Sequence, residues 1–175
     1  MSEIADPQAP EDSAQRLAIR RLAYADLPGV LSIERRAFLT PWSMAMFVLE
    51  LSKPSGVCLA SLEGNSLRGY LVCSRYSDMW HLMNVAVDPG HARRGIATGL
   101  VKHLLGVIEP RDKVMLEVRG SNAAAIAMYE RFGFKAVGSR RRYYQDNGED
   151  AVVMEQGSVR RSEAKPSPGE EPASS

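Results

Sequence analysis

A chain of 175 residues, 45% hydrophobic and 25% charged, can bury one core of ordinary size without covalent staples. Its formal charge of +1 offers no global field to draw nucleic acid or an anionic membrane, and its two cysteines, Cys58 and Cys73, make no disulfide framework. No apolar run approaches the ~20 residues that cross a bilayer, and the acidic, proline-containing start lacks the apolar stretch of a signal peptide. These properties predict a cytoplasmic monomer that binds neither membrane nor nucleic acid directly.

Residues 1–15 and 158–175 are rich in Pro, Asp, Glu and Ser and have little to bury, so both read as disordered segments around a domain over 16–157. Within the domain, Leu17 to Leu22 alternates as a strand. Asp26 is placed to cap a helix through Phe38, with Pro28 in its first turn and Leu27, Val30, Leu31 and Phe38 as its apolar stripe. A second helix begins at Ser43 and ends before Pro54. Gly56 to Leu62 and Leu67 to Tyr76 read as strands joined by a turn at Glu63 to Ser66, and Met79 to Val87 as another strand stopped by Asp88-Pro89-Gly90. Ala97, Leu100, Val101, Leu104, Leu105 and Ile108 recur at helical spacing, and Pro110 ends that helix. Val114, Leu116 and Val118 mark a strand. Ser121 is placed to cap a helix through Phe132, with Gly133 in the left-handed position beyond it. Strands at Phe134 to Arg142 and Ala151 to Gln156 flank a turn at Asp146-Asn147-Gly148. The order β-α-α-β-β-β-α-β-α-β-β is that of an α/β domain with a mixed sheet.

The first chemical signal is N-V-A-V-D-P-G-H-A-R-R-G-I-A-T-G-L, residues 84–100. A strand runs into a small-residue turn that opens a helix. The first helical turn has unpaired N–H groups and a partial positive charge, so it can hold a pyrophosphate. Gly95 and Ala97 let an anion approach the backbone of Ile96 and Thr98, while Arg93 and Arg94 add positive charge. From this segment alone, a plain helix start with two solvated arginines is an equal reading.

Three further segments narrow it. Leu116 to Phe134 reads L-E-V-R-G-S-N-A-A-A-I-A-M-Y-E-R-F-G-F, Ile33 to Ser43 reads I-E-R-R-A-F-L-T-P-W-S, and Arg140 to Ala151 reads R-R-R-Y-Y-Q-D-N-G-E-D-A. Together with the turn they resemble, in the right order, the motifs of the GNAT acetyltransferase superfamily in its RimI form. The resemblance spans residues 17–157 and implies a mixed, mostly antiparallel sheet of about seven strands flanked by four helices. It departs from the family at Ala92, where Gln or Arg is usual, which leaves Arg93 as a substitute contact.

The resemblance implies acetyl-CoA as co-substrate, with no metal, and a protein N-terminus as acceptor, on the pattern of the N-terminal Ala of a small-subunit ribosomal protein. It assigns the pantetheine arm to the backbone of Val85, Ala86 and Val87, and a further contact to Asn122. It makes Glu117 the base and Tyr129 the acid. From spacing alone, Glu117 is an exposed strand carboxylate paired with Arg119, and Tyr129 a core aromatic beside Ile126 and Phe132. On the acceptor side stand Glu34, Trp42, Tyr143 and Tyr144. Glu34 can meet an ammonium or pair with an arginine, Trp42 is a packing residue or a contact, and only one tyrosine can face inward on a strand. His81, His91 and His103 are scattered without zinc spacing and read as surface or core residues. The Arg140 to Arg142 run reads as a solvated strand or a guide for an acidic peptide. Two other functions share these features: acetylation of a small amine, and CoA sensing without turnover.

Overall fold

The computed structural model describes residues 16–157, so the expected disordered segments at both ends lie outside the described residues. The elements are β1 (Leu17–Arg21), α1 (Leu27–Ala37), α2 (Met44–Ser52), β2 (Gly56–Glu63), β3 (Ser66–Tyr76), β4 (Met79–Val87), α3 (Ile96–Val107), β5 (Lys113–Arg119), α4 (Ala123–Arg131), β6 (Lys135–Arg140) and β7 (Ala151–Gln156). They form one seven-stranded sheet in the order β1-β2-β3-β4-β5-β7-β6. Only the β4–β5 pair is parallel. No helix among the described residues is long and apolar enough to cross a membrane.

Strand alternation divides the core in two. On β3, Tyr70 and Val72 point to the layer holding Val30, Ile33 and Phe47 of α1 and α2, whereas Leu71 and Cys73 meet Leu100, Val101 and Leu104 of α3. Val114, Leu116, Val118, Met128, Tyr129 and Phe134 extend the second layer towards α4. A side chain at Gly69 of β3 would come within 2.8 Å of Ile96, so this glycine lets the start of α3 settle on the sheet.

Four local expectations are corrected. Asp26 precedes α1 but does not cap it, because its carboxylate turns back to the Ala23 N–H and the Arg20 guanidinium. Asn122, not Ser121, caps α4, its side-chain oxygen accepting from the Ala125 N–H at 3.1 Å. Glu63 belongs to β2, held there by pairing with Ser66. The strand expected through Arg142 stops at Arg140, and residues 141–150 form a loop rather than a tight hairpin.

Candidate active site

Beyond Met83 the sheet opens. β4 pairs with β5 only from Met79↔Lys113 to Leu82↔Leu116, although β4 continues along β3 to Gly69↔Val87 and β5 along β7 to Arg119↔Ala151. The β3–β4 register slips between Val72 and Cys73, so that Met83 is an extra residue on β4. Such a bulge bends and twists its strand. The outcome is a fork whose β4 side carries the unpaired backbone edge of Val85, Ala86 and Val87.

At the mouth of the fork the chain turns into α3. Arg93 and Gly95 both have left-handed backbones, with φ of 63° and 76°. Gly95 is the residue before the helix and supplies no capping side chain. The first helical bond runs from the Gly99 N–H to the Gly95 carbonyl, so the N–H groups of Ile96, Ala97 and Thr98 precede the intrahelical ladder. Nothing lies within 4 Å of where a Gly95 side chain would start, which leaves this backbone open to an anion. The two arginines diverge: Arg94 binds Glu63 at 2.7 Å, while Arg93 is exposed and makes no ion pair among the described residues.

Glu117 follows the last parallel β4–β5 pair directly. It faces away from the buried Val114, Leu116 and Val118 as strand alternation requires, yet its side chain is only 6% exposed. Arg119 is not its partner. His81 Nε2 lies 2.6 Å from Oε2, and the Arg140 Nε forms an ion pair with Oε1 at 3.0 Å. Burial pushes the carboxyl pKa up, but His81 and Arg140 together outweigh burial and hold it below the usual carboxylate value.

Tyr129 is buried on α4, its ring edge-on to Phe134 with centroids 5.5 Å apart. Its hydroxyl makes no hydrogen bond among the described residues, and burial, reinforced by Tyr144 nearby, pushes its pKa up to about 12. Asn122 spends its side-chain oxygen on the α4 cap, which leaves its amide N–H groups for other contacts.

Two loops border this region. The first joins α1 to α2 and is held from α1 by Glu34, which is fully buried and meets no arginine among the described residues. It accepts from the Trp42 N–H at 2.8 Å, the Asn84 amide at 3.3 Å and the Tyr70 hydroxyl. Burial nonetheless pushes its pKa up against the Trp42 and Asn84 bonds. Glu34 is thus the anchor of the loop, and the Trp42 ring packs on Phe47 at 5.3 Å. The second loop, 141–150, carries both tyrosines. Tyr143 and Tyr144 are not strand neighbours but stack edge to face at 5.2 Å, with Tyr143 43% exposed. Arg119 pins this loop, reaching Asp146 at 2.5 Å and Glu149 at 3.3 Å with its guanidinium 3.9 Å from the Tyr144 ring centroid.

Residues 27–134 match the acetyltransferase (GNAT) family. The chain is 36% identical to the [ribosomal protein bS18]-alanine N-acetyltransferase of Escherichia coli K12, over 78% of this chain and 94% of that protein. It is 35% identical to the N-alpha-acetyltransferase RimI of Mycobacterium tuberculosis, over 79% of this chain and 90% of that one. The crystal structure of the E. coli S18-alanine enzyme superposes with a TM-score of 0.74, covering 80% of this chain and 92% of that one at 35% identity.

The chain belongs to the GNAT acetyltransferase family. It is an acyltransferase of the RimI type, and the forked sheet and open turn are its GNAT architecture. Seen in that architecture, two expectations about side chains change. The arginine run is not simply a solvated strand, since Arg140 reaches back to Glu117. His81, read from sequence as an incidental histidine, sits on the same carboxylate. Its signal in the sequence was faint: an imidazole on the strand leading into the turn, with no local partner.

Proposed function

We propose that this chain acetylates the α-amino group at a protein N-terminus, with an N-terminal alanine of a small-subunit ribosomal protein as the acceptor class. The observation that carries this reading is the fork between β4 and β5, with Glu117 at its apex and the open first turn of α3 at its mouth. The E. coli relative is a [ribosomal protein bS18]-alanine N-acetyltransferase, which supports the acceptor class. Acetyl-CoA fits the same features: an exposed backbone edge for an amide-bearing arm, and free N–H groups beside Arg93 for a pyrophosphate.

When bound, acetyl-CoA supplies an acyl group activated as a thioester. The chain's own residues then have four tasks. Val85 to Val87 align the arm by backbone hydrogen bonds, and Ile96, Ala97, Thr98 and Arg93 hold the phosphates, with Arg94 bracing the turn through Glu63. Glu117, ionised at neutral pH, accepts a proton from the incoming ammonium directly or through water; an α-amino group needs little help, with an unperturbed pKa of about 7.7–8.0. Tyr129, still protonated, donates to the departing sulfur. Tyr143, Tyr144 and the loop anchored by Glu34 flank the acceptor.

The test is acetyl-CoA consumption with a peptide beginning in Ala, the same peptide blocked at its N-terminus but containing lysine, and a panel of small amines. Turnover of the free-N-terminus peptide alone is expected. Faster turnover of a small amine would replace this reading, and no turnover with any acceptor would favour a CoA sensor.

A further inference from the structure

We propose that His81 is a positioning residue for acetyl transfer, holding the Glu117 carboxylate ionised and in one orientation at the apex of the fork. The inference rests on the reading of Glu117 as the base. His81 pairs with Met115 in the last stretch where β4 and β5 are still hydrogen-bonded, so its backbone is fixed on the ordered side of the fork. Glu117 stands two residues further along, at the point of separation. The 2.6 Å approach of His81 Nε2 to Oε2 is short even for a hydrogen bond to a charged oxygen, for which about 2.7–2.9 Å is usual. With an acceptor-only carboxylate opposite it, Nε2 carries the proton and donates.

The surroundings explain why such a donor is needed. A carboxylate that is 6% exposed and has no donors would take up a proton rather than remain charged, and a protonated acid cannot serve as a base. Two donors reach it. Arg140 comes from the edge strand β6 with a side chain 52% exposed, while the His81 side chain is 26% exposed and is the more enclosed of the two. A carboxylate has about four lone-pair sites, so one bond to each oxygen still leaves capacity for a proton or a water. The other titratable groups facing the pair include Tyr76 of β3 and Tyr143 and Tyr144 of the 141–150 loop, Tyr144 being coupled electrostatically to Glu117. The Tyr76 ring lies 6.4 Å from the imidazole, and its hydroxyl accepts from Lys53. Tyr143 is coupled electrostatically to Glu117.

The experiment uses the full chain with His81→Phe, His81→Asn and His81→Gln, and Glu117→Gln in parallel. The Gln amide can reach where Nε2 stood, whereas the Asn amide is too short. Two quantities are read: kcat and the acetyl-CoA KM on a peptide beginning in Ala, and the titration of the Glu117 carboxyl followed by carbon NMR. For His81→Phe and His81→Asn, kcat should fall roughly tenfold or more, the loss of one hydrogen bond to a charged group. Their acetyl-CoA KM should stay within about twofold, and the Glu117 titration should move to higher pH because a donor to its charged form is gone. His81→Gln should restore both. The Asn variant keeps the test usable if His81→Phe does not fold. Wild-type kcat and titration in the Asn variant, or a Gln variant as impaired as Asn, would overturn the proposal. If Glu117→Gln is slow and His81→Asn is not, only the role of His81 falls; if Glu117→Gln is fully active, the base reading falls and this inference with it.

Discussion

Tyr129 keeps its proton far above neutral pH because burial pushes the phenol up to about 12, which suits the donor role proposed for it. Tyr129→Phe retains the edge-on contact with Phe134 and removes only the hydroxyl. Its kcat should fall roughly 10²-fold, as for loss of a general acid, with acetyl-CoA binding nearly unchanged. Stopped assays with a chromogenic thiol reagent would check this, and full activity would return Tyr129 to a packing role. Glu117 lies on the other side of neutrality, ionised throughout the working range. Glu117→Gln preserves size and can still meet the Arg140 donor through its carbonyl, but cannot take a proton. The variant should be slow at neutral pH and recover partly at high pH, where free amine is abundant. Superimposable pH–rate profiles for the two proteins would mean that Glu117 is not the base.

Among the elements, the 141–150 loop is held by charge more than by packing. The Ser121 hydroxyl and N–H, with Asn147 and Arg119 behind them, pull the Glu149 pKa down to about 2. A carboxylate depressed in the folded state contributes stability that is complete above its unfolded pKa of about 4.3 and fades as pH falls through the folded one. The loop should therefore loosen between about pH 4 and pH 2, seen as faster amide exchange in residues 141–150. Glu149→Gln should leave the loop already loose at pH 7 and remove most of that acid dependence. An exchange pattern unaffected by the substitution would show that Tyr143 and Tyr144 are held by their ring contacts instead.

At the scale of the molecule, the sheet is two sub-sheets, β1 to β4 and β5 to β7, joined by only four parallel residue pairs from Met79↔Lys113 to Leu82↔Leu116. A ligand seated in the fork bridges them and binds only the folded chain. At a hundred times its dissociation constant, acetyl-CoA should therefore stabilise the protein by about 2.7 kcal/mol, a rise of several degrees in Tm. Arg93→Glu would place a carboxylate beside the proposed phosphate site without disturbing any ion pair among the described residues. It should leave the unliganded Tm unchanged and weaken binding roughly tenfold or more, read as a smaller shift at the same acetyl-CoA concentration. An undiminished shift would remove the phosphates from that turn.

How far the residues spoke for themselves follows from the range over which each signal acts. Alternation on Val114, Leu116 and Val118, helical spacing from Ala97 to Ile108, and the breaks at Pro54, Pro110 and Gly133 are local, and the α-helices and strands came from such signals to within a few residues, though the short 3-10 turns at Tyr24–Asp26 and Pro89–His91 did not. The small-residue turn before α3 was legible for the same reason, since a helix start and a glycine at φ of 76° depend on neighbours in the chain. Faces were legible as well: Glu117 does point away from the core stripe. What it points at was not. His81 is 36 residues away in sequence, and it meets Glu117 only because β4 lies beside β5 in that register. Glu34 looked equally able to meet an ammonium or to pair with an arginine, but the groups that reach it are Tyr70 and Asn84, from β3 and β4, and the Trp42 N–H. Arg119 looked like the partner of Glu117 and does share its face of β5, yet its charge goes to Asp146 and Glu149 of the 141–150 loop, while His81 and Arg140 take Glu117. Backbone geometry repeats along the chain and so is written in local pattern. The partner of a charged side chain depends on strand order and register, and those are decided only when the whole sheet assembles.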